Sequence, residues 1–201
     1  GFFCYYSEYA PTIIDNLTTL DLKERLISPK LAFNKDSAEV LAYTLVQSIT
    51  EKGILVDRKD EMISKFISLY EEFRNKTKLW KSEGEKIFNS RKDNLKIVFF
   101  GRPYTFFDKT INLGIPTSIE EKGYTISYQS ALELKEIENG YSKRFVDKMH
   151  WHYGQEIVLA AERVAKDDGV YPIFLSCFRC SPDSYLITYF KEIMSQYNKP
   201  Y

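Results

Sequence analysis

The sequence predicts an α/β fold built on parallel strands, and three observations carry that prediction. Short β-rich runs alternate with helical periodicity through residues 91–201. Each run is closed by Gly, Pro or polar punctuation. An apolar helical face also continues across residues 57–91, long enough to bridge two lobes.

The elements follow in order. Gly1-Phe2-Phe3-Cys4-Tyr5-Tyr6 is a β-rich run that starts abruptly, as a strand entered midway. Residues 37–51 have helical character. From 57 to 91, Met62, Ile63, Phe66, Ile67, Tyr70, Phe73, Trp80, Ile87 and Phe88 share one face, although Gly84 offers an earlier break. The division expected from this pattern is 1–90, a partial first lobe with its bridging helix, and 91–201, a second lobe truncated at its C-terminus.

In the second lobe, residues 95–100 read as a strand closed by Gly101-Arg102-Pro103, 108–122 as a helix, and 124–128 as the next strand, one βαβ crossover. A long helix is expected over 142–166, with Phe145, Met149, Tyr153, Ile157, Ala161 and Val164 three or four apart and Gly169 beyond its end. Residues 171–175 form another strand. Ser181-Pro182-Asp183 then starts a last helix, with Ser181 placed to cap, Pro182 suited to the first turn and Asp183 complementing the dipole.

Composition narrows the function. Lys plus Arg and Asp plus Glu number 28 each, so no net field recommends nucleic acid or an anionic membrane. No apolar run approaches the roughly 20 residues of a membrane span, and no signal peptide is evident, which points to the cytoplasm. Three cysteines are an odd set for a disulfide framework, leaving free thiols or metal ligands. The absence of an initiating Met and the turn-like ending Asn198-Lys199-Pro200-Tyr201 read as a piece cut from a longer polypeptide.

The most chemically informative segment is Ser176-Cys177-Phe178-Arg179-Cys180-Ser181-Pro182-Asp183. It sets a Cys-x-x-Cys pair between a strand exit and a helix N-terminus, where backbone N–H groups lower a thiol's pKa and make it a nucleophile or metal ligand. Packing thiols in a βα turn, a thioredoxin-like redox pair and a zinc site completed by Cys4 with His150 or His152 all remain open at this stage.

Several motifs in order carry a resemblance: Cys4-Tyr5-Tyr6-Ser7-Glu8 with Pro11-Thr12, Gly101-Arg102-Pro103-Tyr104 with Asp108, Asn112-Leu113-Gly114-Ile115-Pro116, Gly123, Trp151-x-x-Gly154-Gln155 and Cys180-Ser181-Pro182-Asp183-Ser184. Together they resemble the CoA-substrate-specific enzyme activases and the related D component of 2-hydroxyglutaryl-CoA dehydratase. The resemblance implies Rossmann-like parallel-sheet lobes joined by a long helix, supplying thiolates to a [4Fe-4S] cluster for ATP-driven, low-potential electron transfer in CoA-linked chemistry. Cys4 and Cys180 match the expected ligand positions, whereas Cys177 is an alternate ligand or a bystander. Further thiolates are then expected outside the chain. The implied partners are the other domains of its polypeptide, including an ATPase activator, and a CoA thioester, with a homodimer left open. A non-catalytic scaffold of the same family, holding no cluster, is the alternative.

Gly101 and Arg102 follow a strand, so that turn is a second candidate, able to meet a phosphate of CoA. Asp183 is expected to secure the last helix while neighbouring N–H groups face a cluster sulfur. His150 and His152 lie two apart and face different directions on a helix, which favours a solvated role over a shared metal.

Overall fold

The structure, a computed structural model, describes residues 5–17, 26–33, 35–54, 57–90, 95–134, 140–177 and 180–201. It contains two compact units, Tyr5–Leu79 and Trp80–Tyr201.

The first unit is helical among its described residues, with α1 (Tyr5–Asp15), α2 (Ala38–Thr50) and most of α3 (Lys59–Asn89). Ser37 caps α2, its Oγ accepting the Val40 N–H at 3.4 Å. A small core joins Ala42 and Val46 to Ile63, edged by Met62, Phe66 and Ile67. The strand expected at the start is not borne out at Tyr5 and Tyr6, which open α1; residues 1–4 lie outside the described residues. Aromatic β propensity reflects fit to a half-buried pleated surface, and no strand among the described residues of this unit provides one.

The second unit runs β1 (Lys96–Gly101), α4 (Pro103–Phe107), α5 (Ile115–Glu121), β2 (Thr125–Tyr128), a 3-10 turn (Gln129–Ala131), α6 (Lys143–Val146), α7 (His152–Ala165), β3 (Val170–Leu175) and α8 (Ser181–Gln196). Its sheet has the order β2-β1-β3, with both pairings parallel. The predicted parallel α/β class is therefore observed, with a 31-residue α3 as the long helix. Pro172 sits in β3, which among the described residues pairs only with β1, so its missing N–H is tolerated at a sheet edge.

Alternation along β1 divides the core. Val98 and Phe100 pack with Ile157, Ala161, Leu186, Phe190 and Ile193 on the face covered by α7 and α8. Ile97 and Phe99 pack with Phe106 and Ile119 on the face covered by α4 and α5. Buried on both sides, β1 reads as an uninterrupted apolar run. The end of α3 belongs to this unit, where Phe88 enters the core. Rather than breaking at Gly84, the helix uses it for close approach: a Cβ there would lie 2.5 Å from Ala131 Cβ.

Two expected helices are divided. Within 108–122, Asp108 Oδ1 accepts the N–H groups of Thr110 (2.8 Å) and Ile111 (3.2 Å), turning the chain before α5. Within 142–166, Trp151 adopts extended backbone, while Gln155 Nε2 donates to the Met149 carbonyl at 2.5 Å and replaces a helical bond. The final helix starts one residue earlier than predicted, with Cys180 instead of Ser181 at the N-cap. Among the described residues, no helix is long and apolar enough to cross a membrane.

Glu162 fastens α7 to its surroundings. Its fully buried carboxylate accepts from Tyr141 N–H (3.0 Å), Ser142 N–H (2.8 Å), Tyr197 Oη (2.7 Å) and the Ser142 hydroxyl, and it pairs with Lys166 at 2.7 Å. Burial opposes the charge, but Lys166, Ser142 and Tyr197 outweigh it and hold the pKa down to about 2. A depressed carboxylate stabilises the fold above its unfolded value of 4.5, and that contribution is lost as pH falls toward about 2. Glu162→Gln is expected to cost about 3 kcal/mol at pH 7. In urea titrations the gap from wild type should narrow between pH 4.5 and 2.5.

Candidate functional site

Adjacent parallel strands β1 and β3 send their following helices to opposite faces of the sheet. Phe106 of α4 enters one core, and Leu186 and Phe190 of α8 enter the other. Such divergence opens a crevice beyond the carboxyl ends of the strands, where ligands bind in open α/β sheets.

Gly101 ends β1 at φ 139°, and a Cβ there would meet the Leu175 carbonyl at 2.2 Å. Only glycine lets β1 and β3 close this tightly at their tips. Gln129 locks the position, accepting the Gly101 N–H and donating to its carbonyl, both at 2.8 Å. Thr105 Oγ1 lies within hydrogen-bond distance of the carbonyls of Arg102 (2.7 Å) and Leu175 (3.2 Å).

Arg102 then turns toward α8. Its Nε donates to Asp183 Oδ1 at 3.0 Å, and its Nη2 reaches Cys180 Sγ at 3.3 Å. The Ser176 hydroxyl donates to Asp183 Oδ2 at 2.9 Å. Asp183 has no exposed side-chain surface, and only 14% of the Arg102 side chain is accessible. The guanidinium packs over the rings of Trp151 (4.9 Å to the centroid) and Tyr104 (5.9 Å). Trp151 Nε1 is buried and finds no acceptor among the described residues.

Charge follows the geometry. Burial works against the Arg102 cation, but Asp183 and then Cys180 outweigh it and raise its pKa. Burial also pushes the Cys180 thiol up, despite the Asp183 N–H and the Arg102 charge, which favour the thiolate. The lowered thiol expected from the helix start is therefore overturned by desolvation. A thiol shifted in this direction gives up its proton when it binds a metal.

Of the residues selected from sequence, Gly101, Arg102, Cys180 and Asp183 come together here. Cys177 sits in the same connection, its carbonyl accepting the Cys180 N–H at 3.2 Å. Cys4 lies outside the described residues. Among the described residues, no three His, Cys, Asp or Glu side chains are grouped to hold a metal ion. His152 lies 3.5 Å from Glu156 and is substantially exposed, in keeping with a solvated role. Thr105 and Gln129 were missed by sequence reasoning because each acts through a partner remote in the chain, whereas Ser176, within the cysteine segment, bonds Asp183 seven residues on.

Residues 1–132 match the family model described as CoA enzyme activase uncharacterised domain. Neither a curated protein nor a solved structure gave a match. The family match includes Gly101 and Arg102, while Trp151, Cys180 and Asp183 follow it.

Removing the Asp183 carboxylate leaves a largely buried guanidinium unpaired. Asp183→Ala is expected to destabilise the protein by about 3 kcal/mol. Asp183→Asn, which keeps an acceptor, should cost less. Urea midpoints measure both, and a loss below about 1 kcal/mol for Asp183→Ala would make the pair peripheral to stability.

Proposed function

The chain belongs to the CoA enzyme activase uncharacterised domain family, and on that premise we propose that it presents Cys180, with Cys177 as an alternate ligand, to a [4Fe-4S] cluster in ATP-driven electron transfer for CoA-linked chemistry. The observation that carries this reading is the Arg102 guanidinium fixed 3.3 Å from the Cys180 sulfur by buried Asp183. The donor type fits: a thiol stands at the start of α8 with the Arg102 N–H aimed at its sulfur, and the Trp151 ring lies against the same guanidinium.

When bound, a cluster supplies one-electron chemistry whose potential depends on burial, charge and hydrogen bonds to sulfur. Cys180 contributes the soft donor, and Arg102 offers that sulfur a charge-assisted hydrogen bond. Asp183 holds Arg102 in register, while Trp151 and Tyr104 flank its guanidinium and limit access of water. Cys177 and Cys180 supply fewer thiolates than a cluster requires. The proposal therefore draws on Cys4 and on segments of a larger polypeptide that also carries the ATPase activator. A CoA thioester is the proposed substrate class, with a phosphate at the Arg102 turn as the second role of that residue.

The other reading is a scaffold domain without a cluster. Its support is that Arg102 already satisfies Asp183 within the chain.

Anaerobic reconstitution of the complete polypeptide, followed by iron and acid-labile sulfide analysis, separates the two. Cys180→Ser should remove most of the iron and sulfide, because a hydroxyl is a poor iron ligand. Cys177→Ser should retain most of both. Equal loss would make Cys177 an obligatory ligand, and unchanged content in Cys180→Ser would favour the scaffold.

A further inference from the structure

A cleft of about 450 Å³ is lined by Arg144, Phe145, Lys148, Met149, Tyr185 and Tyr189, none of them a cysteine. Its size falls within the usual range for small-molecule sites. Three aromatic rings, a thioether and two cations meet here, and the cysteine chemistry uses none of them.

The two sides of the cleft have different properties. On α8, Tyr185 and Tyr189 stack edge to face with centroids 4.8 Å apart, and their hydroxyls are hydrogen-bonded to each other. Tyr189 also packs against Phe145 at 4.7 Å, so the aromatic wall is held from behind. Tyr185 keeps 62% of its surface exposed, leaving an accessible ring at the cleft edge. On the other side, the Arg144 guanidinium lies over Tyr141 (4.5 Å) and Phe145 (4.8 Å), and its Nη2 donates to Glu192 at 2.5 Å. Glu192 engages one of the five N–H groups of Arg144 and orients the rest of the fork. Lys148 has no ion pair among the described residues.

We infer that this cleft binds a nucleotide, with the base against the Tyr185 and Tyr189 rings and a phosphate held by Arg144 and Lys148. Purines stack readily on aromatic side chains. A guanidinium fork and an ammonium together match phosphate oxygens. Met149 adapts its shape to a flat ring edge. A purely apolar ligand would leave both cations unused, and inorganic phosphate would leave the aromatic wall unused.

The inference is independent of the iron–sulfur assignment and is tested without metal. The 201-residue chain is titrated by calorimetry with ADP, adenosine and pyrophosphate. ADP should bind at least about tenfold more tightly than either fragment. Arg144→Ala with Lys148→Ala should weaken ADP by at least about tenfold, and Tyr185→Ala should weaken ADP while leaving pyrophosphate unchanged. Arg144 and Tyr185 are more than half exposed, so unchanged circular dichroism should accompany these losses. No ADP binding at about 1 mM, pyrophosphate binding as tight as ADP, or ADP binding insensitive to the variants would each overturn the inference.

Discussion

The pair between Arg102 and Asp183 ties the exit of β1 to the start of α8 at the candidate site. It links residues 81 positions apart, one at the exit of β1 and the other in the first turn of α8. These elements depart toward opposite faces of the sheet, and among the described residues their buried cores are separate clusters. A charge-assisted bond from a largely buried guanidinium to a fully buried carboxylate crosses instead. Its electrostatic gain is offset by desolvation, so its main effect is specificity: it fixes where the Cys180 sulfur stands relative to a cation.

The surrounding packing makes that position reproducible. Gln129 clamps both polar groups of Gly101, and Thr105 ties the turn to the carbonyl end of β3. Behind the site, Phe100, Phe174 and Phe190 form a contiguous aromatic cluster, with Phe190 5.1 Å from Phe100 and 5.2 Å from Phe174. The site therefore rests on strand ends and a helix start backed by close-packed rings, a base suited to holding a sulfur in a fixed electrostatic environment. Trp151 adds a wall because α7 begins late; had 142–166 formed one helix, its backbone would not have the extended turn observed at that residue.

Much of this was legible in the residues. The uninterrupted run of β1 and the Gly101-Arg102-Pro103 ending located a buried strand and its exit, and Pro182 with Asp183 located the start of α8. Family motifs brought Arg102, Trp151 and Cys180 forward before any contact between them was visible. Local pattern could not reveal that Arg102 reaches Asp183, because the partner is fixed by strand order and not by spacing. It also misjudged Cys180: the helix start argued for a lowered thiol pKa, whereas burial in the tertiary fold dominates. The breaks at Asp108 and Trp151 depended on side chains bonding backbone groups, which apolar periodicity does not register.

The central claim is that Arg102 acts on a metal-bound Cys180 sulfur, and the midpoint potential of the anaerobically reconstituted polypeptide addresses it most directly. Arg102→Gln removes the positive charge beside that sulfur while retaining an amide donor. With a cation no longer stabilising added negative charge, the account predicts a lower potential than wild type at equal iron content. An unchanged potential in a fully loaded variant would contradict it.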